Sequence, residues 1–132
     1  MATVDEHQVV WEHLTTTGTD LYALVAKRIK GPRPPVGFDP TKKQIVFHVV
    51  KNQESPDGVF ACEGTFKCYG GGTDDDDARA VADALYSAMQ GKRVKTASGT
   101  LRLIRCIGMF PGPVDPETGI PCHVAKFSFY ID

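Results

Sequence analysis

The chain has no surplus of charge of either sign: 15 Lys and Arg stand against 16 Asp and Glu, a net charge of −1. That balance argues against a dedicated binder of duplex DNA or of an anionic membrane, both of which draw on a basic excess. Long hydrophobic runs are also missing. The apolar stretches last only a few residues, far short of the ~20 that a membrane helix needs. The first eleven residues carry Asp5 and Glu6 where a signal peptide has a basic flank and an apolar stretch, so no secretion is expected and the chain is read as made in the cytosol. No C-x-x-C occurs among Cys62, Cys68, Cys106 and Cys122, and no histidine pair stands at i, i+4; a zinc site is therefore not expected. In a reducing compartment these cysteines read as small core residues. No internal repeat or low-complexity segment is present.

What is there is an ordinary globular composition, 42% hydrophobic and 23% charged in 132 residues, enough for one domain spanning 1–132 with its own core. Val4 to Leu14 reads as a thin-striped helix that stops at Thr15-Thr16-Thr17-Gly18. Asp20 (or Thr19) caps a second short helix running to about Lys27. Gly31 to Pro40 holds four prolines and is an extended connector. Gln44 to Lys51 is a strand whose near-continuous apolar run suggests at least partial cover on both faces. A turn over Asn52 to Gly58 leads to a clearly alternating strand, Val59 to Tyr69. The longest helix is expected from Asp74 to Gln90, burying Ala78, Val81, Ala82, Leu85, Ala88 and Met89. Strands at Thr100 to Phe110 and Cys122 to Ile131 flank a Pro/Gly-rich loop, Pro111 to Pro121, long for a hairpin and so a candidate for function. The expected fold is α+β: a single domain with a mainly antiparallel sheet packed on one long helix, plus short N-terminal helices.

Few of these residues suggest chemistry. Gly70-Gly71-Gly72-Thr73 enters a helix, but Asp74-Asp75-Asp76-Asp77 follows at once and would repel a phosphate there. Consecutive helical aspartates point ~100° apart and do not converge on a cation. No G-x-x-x-x-G-K-[ST], G-x-S-x-G, H-E-x-x-H or EF-hand spacing occurs. Glu6-His7 and Glu12-His13 read as isolated dipeptides on an exposed helix, and His48 as a core or interface histidine. Catalytic, cofactor-binding and metal-binding residues are expected to be none, and the protein is read as a non-enzyme. Charge is nonetheless blocked along the chain. Lys27 to Lys51 carries seven bases against Asp39, and Lys92 to Arg105 five bases and no acid. Met1 to Ala26 carries four acids and no base, and Asn52 to Ser87 eight acids against Lys67 and Arg79. If the blocks keep to different faces, the chain suits head-to-tail association.

The order of elements adds a resemblance. A helix pair with Leu21-Tyr22-Ala23-Leu24-Val25 and Arg28-Ile29, a Pro-rich connector and the strand Ile45-Val46-Phe47 come first. A strand-glycine-helix unit follows, Gly64-Thr65-Phe66-Lys67-Cys68-Tyr69 into Ala78-Arg79-Ala80-Val81-Ala82-Asp83-Ala84-Leu85, with two last strands around Asp115-Pro116-Glu117-Thr118-Gly119. Over nearly its whole length the chain resembles the tail-terminator (tail-completion) proteins of long-tailed, siphovirus-type bacteriophages. The resemblance implies an α+β structural virion protein, without catalysis or cofactor. It forms a hexameric ring that caps the tail tube and offers the joining surface for head-completion proteins. The implied partners are copies of itself, the major tail tube protein and a head-completion or stopper protein, with DNA passing through the lumen without specific binding and no membrane. Assembly would take place in the host bacterial cytoplasm, and the finished location would be the tail or neck of the virion. Interface residues are expected in the long loop (Pro111, Pro113, Asp115, Glu117, Pro121) and in the connector (Arg33, Pro35, Phe38). The alternatives are another neck connector or tube-like ring protein, and a small cytosolic ligand-binding or enzymatic domain using His48, Cys62 or His123.

Overall fold

The computed structural model describes residues 5–16, 19–31, 41–54 and 58–132. Three helices, α1 (Glu6–Leu14), α2 (Asp20–Val25) and α3 (Asp75–Met89), accompany six strands. The strands are β1 (Ile29–Lys30), β2 (Gln44–Glu54), β3 (Phe60–Tyr69), β4 (Val94–Lys95), β5 (Thr100–Pro111) and β6 (Cys122–Ile131). They form one sheet of order β1-β2-β3-β6-β5-β4. The β1–β2 pair is parallel and the remaining pairs are antiparallel. The chain is a single small domain of mixed helix and strand content, with one helix of any length.

Local chemistry accounts for the helix starts. Asp5 caps α1 by accepting from the His7 and Gln8 amides, Thr19 caps α2 through the Tyr22 amide, and Asp74 caps α3 through the Asp76 amide. Each side chain satisfies donors that have no partner inside their own helix. The first turn of α3 carries Asp75, Asp76 and Asp77, which favour the positive end of the helix dipole.

Alternation sets the core. Cys62, Phe66 and Cys68 of β3 and Ala125, Phe127, Phe129 and Ile131 of β6 are buried on one face. That face meets α3, whose Ala78, Val81, Ala82, Leu85 and Met89 are buried in turn. Phe66 stacks on Phe47 at 5.6 Å between centroids and meets the edge of Phe127 at 5.7 Å. On the opposite face Glu63, Lys67, Lys126 and Tyr130 are exposed.

Four details differ from the sequence reading. β2 runs on to Glu54 across a bulge between Lys51 and Gln53, where a turn from Asn52 was expected. The two-residue strands β1 and β4 were not anticipated. His48 is exposed, not a core residue: Ile45, Phe47 and Val49 join the core cluster, while on the His48 face Val46 is buried and Val50 is 45% exposed, so that face is covered in part. The dipeptides of α1 are not isolated either. Glu6 pairs with Lys51 at 3.1 Å, and His7 Nε2 accepts the Val49 amide at 3.2 Å. Glu12 accepts from the Ser98 amide and hydroxyl at 3.0 and 2.9 Å.

His13 ties α1 to the end of α3, its Nε2 donating to the Ala88 carbonyl at 2.7 Å. Burial pushes this imidazole below its ordinary value of 6.5; the Ala88 bond opposes the shift and Lys92 reinforces it. In acid the unfolded chain therefore binds the proton that the folded chain resists. Stability from this group is complete above the ordinary value and is lost as pH falls below it. Thermal melts between pH 8 and 5.5 are expected to show a falling midpoint below about pH 6.5. A His13→Gln variant should show a flatter profile; an unchanged slope would remove His13 from that role.

Candidate functional site

The segment leaving α3 (Gln90 to Arg93), β5 (Arg102 to Arg105), β6 (Ser128 to Tyr130) and β3 (Ala61 to Glu63), with Asn52, line an open cleft of about 1100 Å³. Along it, β5 does not pair regularly with β6. The register slips once between Arg102 and Arg105 and again between Cys106 and Gly108. Each slip places one extra residue on β5 and leaves ladder groups without their strand partner. The chain leaving α3 supplies replacements: the Gly91 amide donates to the Ile104 carbonyl at 2.9 Å, and the Gln90 side-chain carbonyl accepts the Cys106 amide at 2.7 Å. The floor of the cleft is thus cross-braced to α3.

Leu103, within the first bulge, has φ +53° and is 75% exposed. A left-handed backbone costs a non-glycine residue roughly 1–2 kcal/mol, and here the conformation holds an apolar side chain out in water. Tyr130 stands in register with Arg102 and is 42% exposed. The charged lining consists of Lys92, Arg93, Arg102 and Arg105, with Glu63 the only carboxylate among the described lining residues. Arg102 is held by Asp132 at 3.2 Å. Lys92, Arg93 and Arg105 are exposed. Such a surface can hold carboxylates or other anions through charge-assisted bonds, beside apolar contacts from Leu103 and Tyr130.

The other end of α3 carries a run of aspartates. β3 ends at Tyr69, next to Cys122 at the start of β6, and the chain turns through Gly70 to Gly72 into α3. Asp74, Asp75, Asp76 and Asp77 are all exposed there. Asp76 lies 4.0 Å from Arg79, at the outer limit of an ion pair. Lys42 and Lys43 flank this end, since Gly71 approaches the Thr41 carbonyl and the Lys43 amide.

The long loop also lies at that end. It closes on itself: Gly112 N–H donates to Cys122 C=O at 2.9 Å, Asp115 N–H to Ile120 C=O at 2.9 Å, and the Asp115 carboxylate accepts from the Thr118 amide and hydroxyl. Of the residues expected to make contacts, Pro111, Pro113 and Glu117 are exposed and available. Asp115 is spent on the loop itself, and Pro121 is buried, so neither offers a free surface. Val114, which was not singled out, is 56% exposed beside them. Arg33, Pro35 and Phe38 lie outside the described residues.

The charge blocks have separate fates. The N-terminal acids meet the basic block where Glu6 pairs with Lys51. The aspartates of α3 and the Lys92–Arg105 block stay apart, at opposite ends of a helix of 15 residues, about 21 Å long. The cleft residues belong to a block visible in the sequence. Leu103 and Tyr130 were missed, although the run Leu101-Arg102-Leu103-Ile104 breaks strand alternation and marks a bulge.

Groups that could support chemistry are engaged elsewhere. Asp5, Glu6 and His7 place ligand atoms within 4.8 Å of one another. However, Asp5 caps α1, Glu6 holds Lys51, and His7 Nε2 is occupied by the Val49 amide. Burial pushes the Cys62 thiol up to about 11, and raises those of Cys68 and Cys122, which suppresses the nucleophilic thiolate. His48 and His123 do not join Cys62: His48 lies across from Thr65, and His123 opposite Cys68 and Pro111 at the other end of the sheet. Among the described residues, no helix is long and apolar enough to cross a membrane. No family model matches the chain, and no curated protein matches it.

Proposed function

We propose that the protein is a structural subunit of an oligomeric ring, an α+β tail-terminator-like component of a phage virion. In this reading the ring, a hexamer by resemblance, ends the tail tube and presents a joining surface to the head-completion proteins. It binds no cofactor and catalyses no reaction. The observation that carries the reading is the separation of the aspartate run at the start of α3 from the basic cleft beyond its end: a near-neutral chain with two separated, complementary patches is suited to heterologous, head-to-tail contacts, which close into a ring when the rotation fits. The self-ordered loop with exposed Pro113, Val114 and Glu117 suits a contact with the tube.

Light scattering after size exclusion is the first test, with a species near six times 14.4 kDa, imaged as a ring, as the expected result. Deleting residues 113–119 is expected to abolish capping of purified tail tubes. Tubes capped normally by the deletion variant would overturn the loop's role. A ring that does not cap tubes would point instead to another connector of the neck.

A further inference from the structure

We propose that the basic cleft beside the β5 bulge receives the acidic start of α3 from a second copy of this chain. The inference rests on the reading of the protein as a self-assembling subunit, and it names the contact. Three observations bear on the occupant. Lys92, Arg93 and Arg105 are exposed cations around one cleft, and Asp75, Asp76 and Asp77 are exposed anions on one helical turn. The two groups lie too far apart to neutralise each other within the chain, separated by the length of α3.

The second observation is Leu103. A bulge that holds an apolar side chain 75% exposed on a left-handed backbone suits a surface that is covered on association, because apolar anchors next to charged rims are the anatomy of protein contacts. Tyr130 adds a second, amphipathic anchor at the same cleft. Nucleic acid is the other polyanion to weigh. A phosphate backbone would gain nothing from Leu103, would meet Glu63 in the cleft, and would approach a chain of net charge −1.

Thirdly, the cleft and its ligand are different surfaces at opposite ends of one rigid helix. Each copy therefore offers one of each. Association propagates in a single direction and ends only by closure, so the α3 length sets the spacing between successive contacts.

Charge reversal tests this. One variant carries Lys92→Glu, Arg93→Glu and Arg105→Glu; the other carries Asp75→Lys and Asp76→Lys, leaving the Asp74 cap intact. Circular dichroism checks that both remain folded. Each variant alone is expected to self-associate at least about tenfold more weakly than the parent in light scattering at low salt. A one-to-one mixture is expected to regain the parental assembly, because each variant's reversed surface then meets its complement on the other. Leu103→Gly supplies a variant that keeps the left-handed backbone without strain. It is expected to fold with undiminished stability and still associate more weakly.

Variants that assemble as well as the parent would overturn the contact while leaving the ring reading in place. A parent chain that stays monomeric at every concentration at low salt would also overturn it, and the ring reading would then depend on tube capping alone. If the cleft variant instead loses binding to a labelled 20-nucleotide single strand with assembly unchanged, the cleft is a nucleic-acid site and the contact is likewise overturned.

Discussion

Phe66→Ala is expected to remove about 3–5 kcal/mol of stability, a large fraction of the ~5–15 kcal/mol that holds a domain of this size. Phe66 is fully buried at the centre of the sheet. It touches Phe47 on β2 and Phe127 on β6, the two strands that flank its own, so truncation opens a cavity bordered by three strands. Collapse to fill that cavity is hindered because Gly64 already lets the ring in: a Cβ at Gly64 would stand 2.7 Å from Phe66 Cε1 and 3.2 Å from Phe129 Cε1. The measurement is urea unfolding, with thermal unfolding expected to move down by on the order of 10 °C or more. Phe110→Ala is the internal comparison. Phe110 is 42% exposed with Lys126 5.8 Å above its ring, an arrangement worth under about 1 kcal/mol. Equal losses at the two positions would contradict the burial assigned to them.

The regular parts of this fold were legible because they repeat. Cys62, Phe66 and Cys68 of β3, Ala125, Phe127, Phe129 and Ile131 of β6 and the stripe of α3 are each buried in phase, and phase survives averaging over a window. β1 and β4 have no phase to read. Each is two residues long and exists only because a neighbour offers a ladder: Ile29 and Lys30 stand in register with Ile45 and Val46, and Val94 and Lys95 with Leu101 and Thr100. The core alternative for His48 fails for a related reason. In the run Ile45-Val46-Phe47-His48-Val49-Val50 the odd-numbered positions join the core cluster; of the even-numbered ones Val46 is buried while His48 and Val50 are exposed, so the second face is covered only in part.

The candidate site was half legible. That Lys92 to Arg105 carries only bases, and that four aspartates open α3, can be counted. Whether two such blocks cancel is a tertiary question with different answers within this one chain. Glu6 and Lys51 are brought together because α1 lies along β2. The aspartates and the cleft are kept apart because a rigid helix runs between them. The cleft borders the first of two bulges in β5, and a bulge leaves a weak trace in sequence. Here the trace is the interrupted alternation at Leu103-Ile104, with a left-handed leucine that no propensity argument anticipates.

Substitutions through Gly70, Gly71 and Gly72 are expected to separate three causes for one glycine run, with the greatest effect at Gly70. A Cβ at Gly70 would lie 2.4 Å from the Ala78 amide nitrogen and 2.4 Å from the Asp77 carbonyl carbon. These are backbone atoms in the first turn of α3 and cannot rotate aside, so the helix start itself must shift. The cost of Gly70→Ala is placed at the upper end of the ~1–3 kcal/mol typical of overpacking, or beyond it. Gly71 has φ +87° and approaches the Thr41 carbonyl; Gly71→Ala incurs the left-handed penalty of about 1–2 kcal/mol together with that close contact. Gly72 has only the Asp77 carboxylate at 3.5 Å, an ordinary distance, and Gly72→Ala is expected within about 0.5 kcal/mol of the parent. Urea unfolding of the three variants checks the order Gly70, Gly71, Gly72. The run therefore has a packing reason: it brings the first turn of α3 against the end of β3, which sets where Asp74 to Asp77 project. Gly70→Ala is then expected to weaken self-association even at temperatures where it remains folded, while Gly72→Ala leaves assembly unchanged. A Gly72 variant as damaging as the Gly70 one would show that this turn is held by something other than the close approach of α3.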